Sequence, residues 1–142
     1  MKNIAAALFI ATTFCAAAQE TKIKTTDLPN ESLAFIQQYF IKPVVKSAVK
    51  NIDDQKISYE AILEDKTEIE FREDGSWKEV DGKGKVIPVA IIPHIFLDYV
   101  TKNYPQAEFT KIDKEVSGNI DISLSTGEKL VFNKHGKFVK LN

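Results

Sequence analysis

The residues of this chain that could do chemistry do not fall into the spacings that catalysis requires. The two histidines, His94 and His135, are far apart, and neither belongs to the His-Glu-x-x-His pattern of a zinc hydrolase. No serine stands in the Gly-x-Ser-x-Gly elbow of a hydrolase nucleophile. Gly82 and Gly84 are not followed by the Gly-Lys-Ser/Thr ending of a phosphate loop. The sequence therefore predicts no catalytic residue, no metal site and no cofactor.

Three pairs of neighbouring acidic residues remain as candidates for calcium binding or acid/base chemistry. None of them follows the alternating Asp/Asn and Gly pattern, with a distant Glu, of a calcium loop. Catalytic carboxylates also need an apolar environment to separate their pKa values, whereas these pairs lie in hydrophilic segments. We interpret all three pairs as solvated turns: Asp53 with Asp54, Glu64 with Asp65, and Glu73 with Asp74.

The N-terminus predicts export. An uncharged run over residues 4–18 follows Lys2 and closes on Ala16, Ala17 and Ala18, the small residues of a signal-peptide cleavage site. We expect a signal peptide over residues 1–18 and a periplasmic or secreted protein without a membrane anchor. Cleavage would also remove Cys15, the single cysteine, so that no disulfide could form.

Length and charge limit the remaining choices. Residues 19–142 suit a single domain, because domains are typically about 100 to 200 residues long. The formal net charge of the chain is −1 at pH 7, with both signs interspersed. Since no basic stripe is present, nucleic acid is not an expected partner.

The chain contains an internal repeat. Residues 63–80 reappear 61 positions later as residues 124–141, and Phe71 and Gly75 correspond to Phe132 and Gly136. Repeated units of this size cannot bury their apolar faces alone and share one core. We expect a single domain built from two repeats, at about 26–82 and about 88–142.

Each repeat is predicted to be a helix followed by four strands. Pro29 and Pro93 stand where helices begin, and each is followed by apolar residues at helical spacing. The pattern then changes to the two-residue alternation of antiparallel strands, the first at about Val44 to Val49 and about Glu108 to Val116. The predicted fold class is α+β: two α-β-β-β-β units whose helices cover one face of a shared antiparallel sheet.

The alternation also predicts which strand residues face away from the helices. If Tyr59, Ala61, Leu63, Ile69 and Phe71 point inward, their neighbours form an open sheet face. Trp77 corresponds to Phe138 in the second repeat, which favours a core position over a contact residue. The outward residues that we select as candidate partner-binding residues are Glu60, Ile62, Glu70, Arg72 and Asp121, with Ser123, Val131 and Asn133 on the same face.

A longer motif carries a family resemblance. Asp74, Gly75 and Trp77 form a D-G-x-W turn and strand, followed by Val86 to Pro88, Pro93, Tyr104 and Pro105. This order resembles the PepSY-like family of β-lactamase-inhibitor-like periplasmic proteins. The resemblance implies the fold of a β-lactamase inhibitor protein and, as in related PepSY modules, a role in restraining peptidases. A Cys often follows the Trp strand in that family, but the counterpart here is Asp81 or Gly82.

Two functions follow as hypotheses. The first is an exported, non-enzymatic protein-binding module that inhibits or regulates a secreted or envelope enzyme and docks by the open sheet face. The alternative is a carrier or sensor of a small ligand that binds in a cleft between the repeats. The sequence leaves the partner and the oligomeric state undetermined.

Overall fold

The computed structural model describes residues 18–142. The predicted signal peptide and Cys15 therefore lie outside the described residues. The helices are α1 (Asn30–Tyr39) and α2 (His94–Asn103), and single 3-10 turns cover Thr25–Asp27 and Val89–Ile91. The strands are β1 (Gln19–Ile23), β2 (Val45–Asp53), β3 (Lys56–Leu63), β4 (Glu68–Arg72), β5 (Trp77–Asp81), β6 (Phe109–Lys114), β7 (Ile120–Leu124), β8 (Lys129–Phe132) and β9 (Phe138–Leu141).

All strands form one antiparallel sheet in which spatial order equals chain order, from β1 to β9. The predicted α+β class with an antiparallel sheet is confirmed, and the helices begin directly after Pro29 and Pro93 as expected. The prediction of eight strands is wrong by one. The additional strand is β1, which pairs with the edge of β2 and places Ile23 opposite Ala48. Its sequence QETKI is too polar to show the alternation of a strand.

The core lies between the sheet and the two helices. Ala61, Leu63, Ile69 and Phe71 are buried as predicted, and Tyr59 packs against them while half-buried. In the second half of the chain the same layer is formed by Ile122, Leu124, Leu130 and Phe132. Because the helices cover only this side, the opposite side of the sheet is left uncovered.

Each helix is fixed on the hairpin that ends its half of the sheet. The Ser32 hydroxyl of α1 donates a hydrogen bond of 3.0 Å to the carbonyl oxygen of Gly75, in the β4–β5 turn. Ile95 of α2 lies against Gly136, in the β8–β9 turn. Both glycines have positive φ, at 84° and 77°, a conformation that favours glycine.

Aromatic side chains join helix to sheet in the same way in both halves. Phe35 stacks on Trp77 at 5.7 Å, and Tyr99 stacks on Phe138 at 5.2 Å. Trp77 is therefore a packing residue that remains half-buried at the border of the core, as its match with Phe138 indicated.

Candidate functional site

A line of acidic side chains crosses the uncovered face of the sheet. Glu60 on β3 lies opposite Glu70 on β4, and Glu70 lies opposite Glu79 on β5. Glu79 lies opposite Asp113 on β6, which in turn lies opposite Asp121 on β7. We call these five residues the carboxylate row. Five neighbouring strands thus present like charges to one another at directly paired positions.

Strand alternation places these residues on one face. Val80 and Ile112 are fully buried between the sheet and the helices, so that the preceding Glu79 and the following Asp113 point outward. The sequence analysis selected Glu60, Glu70 and Asp121 of the row and missed Glu79 and Asp113. The same alternation could have shown that both residues face outward. Their place in the row depends on the pairing of β5 with β6, which joins the two halves of the sheet and is not set by a short hairpin.

The other two predicted residues lie on the same face beside the row. Ile62 is half-buried between Ser47 on β2 and Glu68 on β4. Arg72 lies near the end of β4, where its guanidinium donates a hydrogen bond of 2.9 Å to the carbonyl oxygen of Trp77. Arg72 therefore also ties the β4–β5 hairpin together, in addition to facing the open side.

Apolar residues border the carboxylate row at both ends. Val49 on β2 lies opposite Glu60, and Val131 on β8 lies opposite Asp121. Val131 faces outward as predicted, but it is only 5% exposed and Val49 only 6%. Val131 is therefore not the accessible contact that the sequence suggested. It lies in the wall of a surface depression that Lys129 and Asp121 also line.

Two lysines pair with part of the row. Lys78 Nζ lies 3.1 Å from Glu70 Oε2, and Lys111 Nζ lies 2.9 Å from Glu79 Oε1. Lys111 is also 3.5 Å from Asp81 Oδ2. These half-buried pairs offset the repulsion at Glu70 and Glu79.

Burial and the remaining repulsion raise the pKa values of three carboxyl groups in the row. Burial and the nearby charges of Glu68, Glu20 and Glu70 raise the pKa of Glu60 above its usual 4.5. Burial likewise raises the pKa of Glu79, and burial together with the Glu115 carboxylate raises the pKa of Asp113. Asp113 Oδ1 is buried and accepts no hydrogen bond among the residues that the structure describes. The centre of the row therefore holds protons more tightly than exposed carboxylates do.

We predict that Asp113→Asn stabilises the protein at neutral pH. Asp113 faces Lys78 and Glu79 on β5 and Asp121 on β7, with Lys111 and Glu115 on its own segment, so that three acids and two lysines surround it. A raised folded-state pKa means that the protonated carboxyl contributes stability below the usual value of 3.8, which is lost as pH rises through the folded-state value.

The melting temperature of Asp113→Asn should therefore be higher than that of the parent at pH 7, and the difference between the two should shrink as pH falls toward 4. Asp121→Asn, the same change at the position opposite Asp113, is the matched control. A parent that gains no stability on acidification relative to Asp113→Asn would contradict the prediction.

The structure also describes a surface depression between the two halves. It has a volume of about 290 Å³ and lies beside α1 and the 3-10 turn, with Phe35, Tyr39, Trp77 and Ile91 in its wall. Glu31, Gln38 and Ala90, at its rim, are exposed, so that the depression opens to solvent. This is the place that a ligand between the repeats would occupy.

The amine of Lys114 lies over the ring of Trp77. Its Nζ lies 3.3 Å from the centroid of the indole ring and 3.4 Å from the Trp77 carbonyl oxygen. Burial, with the positive charge of Arg72, lowers the pKa of Lys114 to about 8. A lysine of lowered pKa is the kind of group that serves as a nucleophile, but this amine is held against the Trp77 ring.

Two further properties concern the described residues, 18–142. No three acidic, histidine or cysteine side chains there stand close enough together to hold a metal ion. No helix within the same range has the length and apolar character needed to cross a membrane.

Known structures of similar sequence share this fold. A periplasmic protein of the DUF2874 family from Bacteroides vulgatus matches with 28% identity and a TM-score of 0.82, over 87% of this chain and 96% of that one. A Bacteroides thetaiotaomicron periplasmic protein, described as a candidate for calcium regulation, matches with 33% identity and a TM-score of 0.82 over the same shares. A further Bacteroides vulgatus periplasmic protein of unknown function matches with 28% identity and a TM-score of 0.80, over 89% and 99%.

The sequence comparisons agree with the structural ones. A search of curated proteins finds no match. The model of the family described as beta-lactamase-inhibitor-like, PepSY-like matches residues 57–140, which include the D-G-x-W turn and everything from β3 to most of β9. The predicted resemblance is thereby confirmed, as is the predicted periplasmic or secreted location. The chain belongs to the beta-lactamase-inhibitor-like, PepSY-like family.

Proposed function

We propose that this protein is a non-enzymatic binding module of the periplasm that docks a partner protein on the carboxylate row. The observation that carries the proposal is the row itself. Like charges placed directly opposite each other in a sheet are destabilising, by up to about 1 kcal/mol for each pair. Natural sequences keep such conflicts mainly where function requires them. A cationic partner surface would relieve the repulsion between Glu60 and Glu70 and that between Glu79 and Asp113.

The shape of the face suits a protein partner. The row crosses five adjacent strands, which corresponds to about 19 Å at the usual spacing of about 4.8 Å. With the strands on either side of the row, the nine-stranded face is about 38 Å wide and about 17 Å deep, which approaches the roughly 800 Å² that one partner contributes to a stable interface. The accessible part of the row is charged, because Val49 and Val131 at its two ends are buried.

The relatives support this class of function at a coarse level. The family is described as beta-lactamase-inhibitor-like, and the structural relatives are periplasmic proteins without an enzyme name. We extend this description to the chain as a proposal: the docked partner is an envelope or secreted enzyme that the module inhibits or regulates.

We predict that charge reversal in the row abolishes partner capture. In the double variant Glu60→Lys, Asp121→Lys, neither replaced side chain takes part in the ion pairs of Lys78 and Lys111, so that the fold should be preserved. Capture of a partner from an envelope extract should fall at least about tenfold, because reversing charges at a docked surface costs more than about 1.4 kcal/mol. The melting temperature should stay within a few degrees of the parent, as for other surface changes.

The control is Asp98→Lys on the exposed side of α2, which changes the charge by two units, as each single substitution of the double variant does. It should leave capture unchanged, as should His94→Ala and His135→Ala. Equal loss with Asp98→Lys would show that net charge alone, rather than the row, governs the interaction. Loss with either histidine variant while the fold is preserved would replace the binding module with a hydrolase or metal site.

The alternative function, binding of a small ligand between the repeats, has its place in the depression beside Trp77. Trp77 is the single tryptophan of the chain, so that its fluorescence reports on that depression. Saturable fluorescence changes with a periplasmic small-molecule extract, unaffected by Glu60→Lys and Asp121→Lys, would favour the carrier or sensor over the docking module.

We also infer that the two halves descend from one duplicated α-β-β-β-β unit. In support, β4–β5 and β8–β9 carry register shifts at equivalent positions, before Phe71 and before Phe132. The stacked pairs Phe35 with Trp77 and Tyr99 with Phe138 are equivalent as well.

A further inference from the structure

The two halves differ at their last strands. β5 is followed in the sheet by β6, whereas β9 is the end of the sheet. Val80 on β5 is fully buried, with Ile112 of β6 at its side. Leu141 lies 61 positions further on, opposite Leu130 on the helix side of the sheet, and it is 57% exposed. The difference in exposure between Val80 and Leu141 indicates how much of the Leu141 side chain a strand beside β9 would cover.

Among residues 18–142, no strand pairs with the outer edge of β9. The N–H of Asn142 donates to the carbonyl oxygen of Lys129 at 2.8 Å, on the β8 side. Because successive residues of a strand direct their backbone groups to opposite sides, the N–H and C=O groups of Leu141 point away from β8. Exposed strand edges of this kind accept an additional strand from another chain.

The other edge of the sheet is less suited to this. β1 has the sequence QETKI, and its first four residues are exposed polar side chains. On β9, by contrast, Val139 is exposed by 53% in addition to Leu141. An incoming strand would bury apolar surface at β9 and hardly any at β1.

Charge at the β9 edge indicates the kind of strand that fits. Residues 128–142 contain four lysines, Lys129, Lys134, Lys137 and Lys140, and one acid, Glu128. In the β5–β6 pair, Val80 faces Ile112 and Glu79 faces Asp113. The same register on β9 would place an apolar residue beside Leu141 and an acidic residue beside Lys140. A β6-like strand would thus meet a lysine at β9 where it meets a glutamate at β5.

We propose that the edge of β9 is a second docking site, which binds an extended partner segment with an apolar residue next to an acidic residue, as Ile112 and Asp113 stand in β6, and that this segment adds antiparallel to the strand. This site is separate from the carboxylate row, and its occupant has the opposite charge. The apolar residue would cover Leu141 on the helix side, and the acidic residue would pair with Lys140 on the open side.

The probe is a synthetic peptide of residues 108–115, Glu-Phe-Thr-Lys-Ile-Asp-Lys-Glu, titrated into the full exported protein labelled with nitrogen-15. We expect saturable NMR shifts at the amides of Val139 and Leu141, none at β1, and no change in these shifts in the Glu60→Lys, Asp121→Lys variant. Leu141→Pro should abolish them, because proline removes the outward N–H. Absence of saturable shifts at β9 up to millimolar peptide would overturn the proposal.

A charge swap tests the register. Lys140→Glu should weaken binding of the peptide about twofold to fivefold, the effect of one exposed ion pair. The Lys140→Glu protein should bind the peptide that carries Asp113→Lys more tightly than it binds the original peptide. Lys140 is exposed, so that the fold is preserved. Equal affinity of both proteins for both peptides would overturn the proposed pairing. Light scattering that shows a dimer through β9 without peptide would replace the partner segment with a second copy of the chain.

Discussion

Phe71→Ala and Phe132→Ala should each lower the free energy of unfolding by about 3 to 5 kcal/mol, the range for deleting a buried aromatic side chain. Both residues are fully buried. Each also receives an aromatic ring of a helix edge-on, Phe35 at 6.0 Å on Phe71 and Tyr99 at 5.1 Å on Phe132. The alanine variants would lose these contacts and leave a cavity between helix and sheet. Chemical denaturation gives the two free energies directly.

Glu70→Ala is the control for the first of these variants. Glu70 precedes Phe71 on the same strand but faces the open side, where it pairs with Lys78 at 3.1 Å. Such a half-exposed pair contributes up to about 1 kcal/mol, and removal of Glu70 also relieves repulsion within the carboxylate row. A larger loss for Glu70→Ala than for Phe71→Ala would mean that the two faces of the sheet are assigned the wrong way round.

The sequence predicted those parts of the fold that depend on local patterns. The helices begin after Pro29 and Pro93 because proline suits the first turn and apolar periodicity follows. The burial of Phe71 follows from alternation with Glu70 and Arg72 along one strand. Both signals lie within a few residues of each other, so that they need no knowledge of the tertiary structure.

The rest depends on contacts between distant segments. β1 lacks apolar alternation and becomes a strand only because β2 offers an edge. Glu79 and Asp113 meet because β5 pairs with β6, across a connection that contains α2 and no hairpin. Val131 was selected because it faces outward, but it is only 5% exposed and lies in the wall of a depression. These three features are set by register and packing, which the local sequence does not specify.

Gly75→Ala should lower the free energy of unfolding by about 2 to 5 kcal/mol, although it adds a single methyl group. Gly75 has a φ of 84°, where a side chain costs about 1 to 2 kcal/mol. An added Cβ would also lie 2.8 Å from Pro29 Cβ and 2.9 Å from Glu31 Cβ. These atoms belong to the rigid first turn of α1, and their displacement costs about 1 to 3 kcal/mol as overpacking does. The Ser32 hydrogen bond to the Gly75 carbonyl would be strained as well.

Two matched glycines separate the causes of this loss. Gly136 has a φ of 77°, but its added Cβ would meet only the Ile95 side chain, which is 50% exposed and can turn away. Gly127 has a φ of 103° and nothing within 4 Å, so that only backbone strain of about 1 to 2 kcal/mol remains. We therefore expect losses in the order Gly75→Ala, Gly136→Ala, Gly127→Ala in chemical denaturation. Equal losses at Gly75 and Gly127 would mean that backbone strain alone sets the cost, and that α1 moves freely on the β4–β5 hairpin.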